Sequence, residues 1–286
     1  MAREVRELSE TPGTLPAYLK AAAPMLPGAS LLPFVAGRGD EVPDVELRLS
    51  GVEVDRAHLA AYARVCGLRL RDELPATYPN VLAFPLHMGL MTDGDFPFGA
   101  VGLVHIANRI TVHRPLLAGE PLDLRVHATK IRPHAKGRQF SIVTKVRAGR
   151  KLVWEAESTM LRRGGGSARG RAEDDFGPLP APSAEWRLPG DLGRRYAAVS
   201  GDRNPIHMHP IAARVFGFPR AIAHGMWTKA RCLAAMEARL AETYTVDVRF
   251  RKPILLPARV SFGMAGERFA VTGGGDVTHL DGRIEA

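Results

Sequence analysis

An acid, an amide and an imidazole fall within six residues of one another: Asp202, Asn204 and His207, in the stretch SGDRNPIHMHP at 200–210. A second imidazole and a glycine, His224 and Gly225, follow at the head of an apolar helical pattern. Gly201 reads as the residue just past a helix C-terminus, where positive φ is needed and glycine adopts it without a Cβ clash. Pro205 keeps Asn204 out of the α region, so Asp202 to His207 is expected to be an extended or turning loop. Such a loop can aim Asp202 and His207 at one point, and a carboxylate and an imidazole sharing one water form an acid–base pair. Taken alone, Asp202 is as well read as a turn or capping carboxylate; its coupling to Asn204, Pro205 and His207 favours chemistry. A metal set of Asp202, His207, His209 and His224 competes with this reading. It is set aside because His207 and His209 would point to opposite sides of an extended segment. His224 is expected to hydrogen-bond the loop and so aim Gly225. No metal or other cofactor is called for, and no P-loop, dinucleotide fingerprint or G-x-S-x-G elbow is present.

The elements that must position these groups form a programme that runs twice. Asp55 is a good N-cap for a helix through Leu59, Tyr62 and Val65 that Gly67 stops. An apolar segment at 81–91 follows, in which Pro85 and Gly89 point to a broken helix with room beside it. Strand patterns then occupy 105–112, 122–130, 138–147 and 152–161. In the second half a helix ends at Gly201, a short apolar helix separates His207 from His224, and a longer one runs from Met226 to Leu240. Strands follow at 245–251, 258–264, 268–272 and 277–284. Tyr62-Ala-Arg-Val-Cys-Gly67 lies on Tyr196-Ala-Ala-Val-Ser-Gly201, and Ile110-Thr-Val-His-Arg-Pro115 lies on Val248-Arg-Phe-Arg-Lys-Pro253. Runs of strands after helices mean α+β and not a βαβ alternation. Leu68 and Glu73 stand where the second copy has Asp202 and His207, so the first copy has lost the pair. The expected organisation is an N-terminal copy with its arm at 1–163, a Gly- and Pro-rich linker at 164–184, and a catalytic copy at 185–286.

The 286 residues suit two such units, and no run approaches the roughly 18 apolar residues of a membrane span. MAREVRELSE mixes acids with arginines and does not read as a signal peptide. Cys66 and Cys232 have no metal or redox spacing, which fits reduced thiols in a cytoplasm. The net charge of +9 is scattered and carries no nucleic-acid motif; a solvated basic surface accounts for it, and the sharper alternative is attraction to a polyanionic small molecule or an acidic carrier protein.

The stretch at 200–210, with AHGM at 223–226, closely resembles the signature of the MaoC-like (R)-specific enoyl-thioester hydratases and 3-hydroxyacyl-thioester dehydratases. With the TYP and FPL stretches near Tyr78 and Phe84, the chain resembles their double hot-dog actinobacterial form, in which only the C-terminal copy keeps the signature. His209 departs from the pattern, where single-domain members more often carry an acid. The resemblance implies a pseudo-dimer of two antiparallel sheets, each wrapping a central helix, and a possible homodimer of those. It implies that Asp202 and His207 activate the water added to a trans-2-enoyl thioester of coenzyme A or acyl carrier protein. Gly225 would give its backbone N–H to the thioester oxygen, and Asn204 would hold the loop or touch the substrate. Thioester hydrolysis on the same fold, or acyl binding without catalysis, are the rival expectations.

Overall fold

The computed structural model of the protein describes residues 3–14, 16–18, 41–100, 102–165, 176–275 and 277–286. The first half contains β1 (Glu4–Leu8), β2 (Val45–Val52), α1 (Arg56–Cys66), α2 (Tyr78–Met91), β3 (Leu103–Val112), β4 (Leu122–Ala128), β5 (Arg132–His134), β6 (Gly137–Ala148) and β7 (Lys151–Arg163). The second contains β8 (Pro182–Leu188), α3 (Leu192–Ser200), α4 (Pro205–Met208), α5 (Pro210–Val215), α6 (Gly225–Ala235), β9 (Tyr244–Phe250), β10 (Ala258–Ala265), β11 (Arg268–Gly273) and β12 (Val277–Glu285).

Local chemistry accounts for the elements that matter to the site. Asp55 caps α1 by accepting from the Ala57 and His58 amides, and Gly67 closes it at φ 71°. Gly201 closes α3 in the same left-handed conformation, at φ 74°. The equivalence of the two helix ends is therefore real in backbone as well as in sequence. α2 is not broken: Pro85 sits inside a helix of 14 residues that runs on through Gly89. Packing on nearly every side, with Ala83, Leu86, Met88 and Leu90 all buried, outweighs the hydrogen bond that proline removes. α6 stops at Ala235, short of the expected Leu240.

Among the described residues all strands join one twelve-stranded sheet, ordered β1-β2-β4-β6-β7-β3-β9-β12-β11-β10-β8 with β5 on β6. The two sheets expected of the two copies are thus hydrogen-bonded edge to edge through β3 and β9. Every pairing is antiparallel except β1 on β2. β1, β2 and β8 had not been expected: β1 occupies the start of the arm, and Pro182–Ala184 of the expected linker are strand. The rest of the arm at 19–40 and the linker at 166–175 lie outside the described residues.

The seam has an internal symmetry. The alignment that lays Ile110 on Val248 also lays Arg109 on Asp247, and these two residues are direct partners across β3 and β9. A pseudo-twofold axis therefore passes between them. The buried Lys229 of α6 fastens the second central helix to this seam, donating to Asn108 O, Asn108 Oδ1 and Val246 O at 3.0, 2.6 and 3.0 Å. An ammonium has three donors, and three oxygens meet them.

Candidate active site

The residues singled out in the sequence converge. From Pro205 the chain turns into the single helical turn α4 instead of staying extended to His207. Asn204 itself is extended (φ −53°, ψ 126°), as the following proline demands, but proline suits the first helical position. Asn204 Oδ1 accepts from the Ile206 amide and its carbonyl from the His207 amide. Gly193 on α3 permits the approach of α4, because a Cβ there would run into the His207 carbonyl. His209 does not join His207: it is exposed and caps α5, its Nδ1 accepting from the Ile211 amide at 3.2 Å.

Asp202 Oδ1 accepts from the Asn204 amide at 3.1 Å and from the Tyr18 hydroxyl at 2.9 Å. Its Oδ2 lies 3.8 Å from His224 Nε2. His224 Nε2 donates to the Asp202 carbonyl at 3.0 Å, which ties the loop at both ends. His207 Nδ1 donates to the Ile222 carbonyl at 2.8 Å, so its Nε2 keeps a lone pair. The two imidazoles stack with centroids 3.6 Å apart and planes 24° from parallel. One donor atom from each of Asp202, His207 and His224 falls within a 4.8 Å cluster. In the tautomer that these hydrogen bonds set, His224 Nε2 carries a proton toward the Asp202 carbonyl and offers no lone pair there.

Burial pushes the Asp202 carboxyl up, but His224, His207, the Asn204 amide and the Tyr18 hydroxyl outweigh it and hold the group below its ordinary value. Burial lowers His207 against the pull of Asp202 and the Ile222 carbonyl. His224 is pushed down to about 3 by burial and by His207. The cluster is therefore a carboxylate beside two neutral imidazoles.

A cavity of about 450 Å³ opens beside it, lined by Asp202, Asn204, His207, His224 and Gly225. Gly225 is the first residue of α6, where amides and the helix dipole favour developing negative charge. Glycine is needed here because a Cβ would meet the ring of Phe250, which also lines the cavity, at 2.9 Å.

The far wall comes from the first half. Asn80, Phe84, His87 and Met91 present one face of α2 to the cavity, and His105 of β3 joins them. His87 Nε2 meets Thr144 Oγ1 at 2.7 Å, and His105 packs on Phe250 with its Nε2 buried and without a partner. The spacing of the α2 residues was a signal within reach. Nothing in the sequence pointed to Tyr18.

A family model described as the MaoC like domain matches residues 186–279. The chain is 41% identical over 257 residues to 3-hydroxyacyl-thioester dehydratase X of Mycobacterium tuberculosis, covering 89% of each. The chain belongs to the MaoC-like dehydratase family. The crystal structure of HtdX from the same organism superposes with a TM-score of 0.75 at 38% identity, over 84% of this chain and 98% of that one. A MaoC-like dehydratase from Phytophthora capsici shares the fold at 18% identity, with a TM-score of 0.68 over 87% and 95% of the two chains. The α+β, double hot-dog architecture that the resemblance implied is the one found.

Proposed function

We propose that this MaoC-like protein is a hydro-lyase that interconverts trans-2-enoyl and (R)-3-hydroxyacyl thioesters in fatty-acid metabolism. The observation that carries the reading is the convergence of a carboxylate oxygen and an imidazole lone pair beside the first amide of α6, in one cavity. Asp202 Oδ2 and His207 Nε2 are both acceptors, so they can take the two hydrogens of one water. As the water oxygen attacks C3, the C2–C3 π electrons shift onto the thioester oxygen, which the Gly225 N–H stabilises. The proton taken from water is returned to C2, and the carbon–oxygen double bond re-forms. Dehydration is the same path reversed. Asn204 holds the loop and lines the cavity; His224 orients Asp202 and the approach to Gly225.

The same reading assigns catalysis to the copy at 185–286 and a wall to the copy at 1–163, with 164–184 between them. A phosphate-bearing carrier, coenzyme A or acyl carrier protein, is supported by the exposed Lys136, Arg163 and Lys252 on the cavity lining. Both cysteines are free and buried, consistent with a cytoplasmic protein. No described helix is long and apolar enough to cross a membrane.

The test is loss of the ultraviolet absorbance of an enoyl thioester on adding purified protein. Asp202→Asn and His207→Ala are expected to lower turnover by about 10²–10⁴-fold with folding intact. Full turnover in both variants refutes the assignment, and release of free thiol indicates hydrolysis instead.

A further inference from the structure

Tyr18 precedes the repeated programme in the chain, yet its phenol reaches the site. Thr14 Cγ2 lies 3.8 Å from where a Cβ on Gly201 would stand, so the N-terminal segment passes over the turn that delivers Asp202. Ala17 and Tyr18 pack, partly buried, against the main core. The Arg203 amide donates to the Tyr18 hydroxyl at 2.8 Å, and that hydroxyl donates to Asp202 Oδ1 at 2.9 Å. With a donor already on the phenol oxygen, the single phenolic proton has one direction to go. Tyr18 is not among the described residues that line the cavity, so it acts on Asp202 and not on a substrate.

A carboxylate turns over a broad, roughly two-fold torsion, and either oxygen can face a reactant unless one is held. The Asn204 amide and the Tyr18 hydroxyl both hold Oδ1. We infer that Tyr18 is a positioning residue: its hydroxyl pins Asp202 Oδ1 so that Oδ2 faces the water to be activated. The inference rests on Asp202 being half of the acid–base pair. The other titratable groups around Asp202 are His207 and His224, Tyr196 of α3, His105 of β3 and Arg203 in its own loop. Burial and the neighbouring carboxylate push the Tyr18 phenol far up, which keeps it a donor at every working pH.

The experiment compares Tyr18→Phe, Tyr18→Ala and Asp202→Asn in the whole chain, measuring enoyl-thioester hydration, its pH profile and Tm. Tyr18→Phe is expected to lower kcat about 10- to 100-fold, the weight of one charge-assisted hydrogen bond, with KM within about twofold. The acid limb of kcat/KM moves to higher pH, because the carboxylate loses a donor that favours its ionised form. Tyr18→Ala matches Tyr18→Phe in kcat, since both lack the hydroxyl, and adding Tyr18→Phe to Asp202→Asn changes nothing further. A packing role gives the reverse, with Tyr18→Phe like wild type and Tyr18→Ala impaired. That result, or an acid limb that stays in place while Asp202→Asn is inactive, overturns the inference and leaves the reading of Asp202 standing. An Asp202→Asn variant as active as wild type brings down both.

Discussion

Gly225→Ala is the substitution for which the structure gives the sharpest forecast. A Cβ built on Gly225 stands 2.9, 3.0 and 3.1 Å from Phe250 Cε1, Cδ1 and Cζ. Carbon pairs are at their best near 3.5–4.0 Å, so the methyl or the ring must give way by roughly half an ångström or more. The ring packs on His105 with centroids 4.9 Å apart, and the Phe250 backbone is paired in register with Leu280. Relief therefore has to come from the ring turning toward the cavity or from the start of α6 shifting. Strain of this kind typically costs about 1–3 kcal/mol, and the part that falls on the start of α6 moves the Gly225 amide. Displacing the Gly225 amide removes the proposed oxyanion donor, an effect of about 10²–10³-fold in kcat. The assay is initial-rate hydration of an enoyl thioester alongside thermal unfolding. Adding Phe250→Val, which removes the three crowding ring atoms and keeps a strand-compatible side chain, should recover much of the loss. A Gly225→Ala enzyme with full kcat would refute the placement of the oxyanion at this amide. A double variant no faster than Gly225→Ala, where Phe250→Val alone is active, would refute the steric cause.

Two further outcomes follow from buried and exposed charge. Burial holds His87 and His224 down to about 3 and His105 to about 4, and it lowers His207 as well. The unfolded chain binds protons at these four positions below about pH 6.5 while the native chain does not, so stability should fall on acidification. Each group contributes up to about 1.4 kcal/mol per pH unit between its unfolded and folded values. Asp202, with its folded value depressed, adds a loss in the same direction at lower pH. Unfolding midpoints measured at pH 7, 6 and 5 check this, and a flat profile contradicts it. Replacing Lys136 and Arg163 by alanine should raise KM for a coenzyme A thioester about three- to tenfold at low salt. A short thioester without phosphate should be unaffected, and an equal effect on both would remove these side chains from carrier recognition.

The site was legible where chemistry and backbone constraint coincide in a few residues. Asn204 before Pro205, glycine after a helix and two imidazoles at fixed spacing leave few conformations, and Asp202, His207, His224 and Gly225 do meet. What the sequence hid depends on contacts between distant segments. Tyr18 is 184 residues from the carboxylate it touches, and no local pattern marks it. The Pro85 expectation failed because propensity is local, whereas the burial that keeps α2 whole is tertiary. β1 and β8 are the outermost strands of the sheet and bury few residues, so their apolar alternation is faint, whereas Val45, Leu47 and Leu49 of β2 alternate as a strand should.

The repeat explains why one site is built from two copies. An axis through the Arg109–Asp247 pair relates two central helices and two helix-closing glycines, so exact symmetry would give two equal sites. In the first copy Glu73 is exposed and Leu68 replaces the acid, so that half carries no acid–base pair at this position. Its central helix is freed of the task and turns Asn80, Phe84, His87 and Met91 toward the other half's cavity, spanning about 16 Å along its axis. The second helix cannot drift to match, because Lys229, one turn beyond Gly225, is held by three oxygens on the two seam strands. On the proposed assignment one half fixes the reacting groups and the other shapes the space before them, so a change in acyl preference need not disturb the acid–base pair.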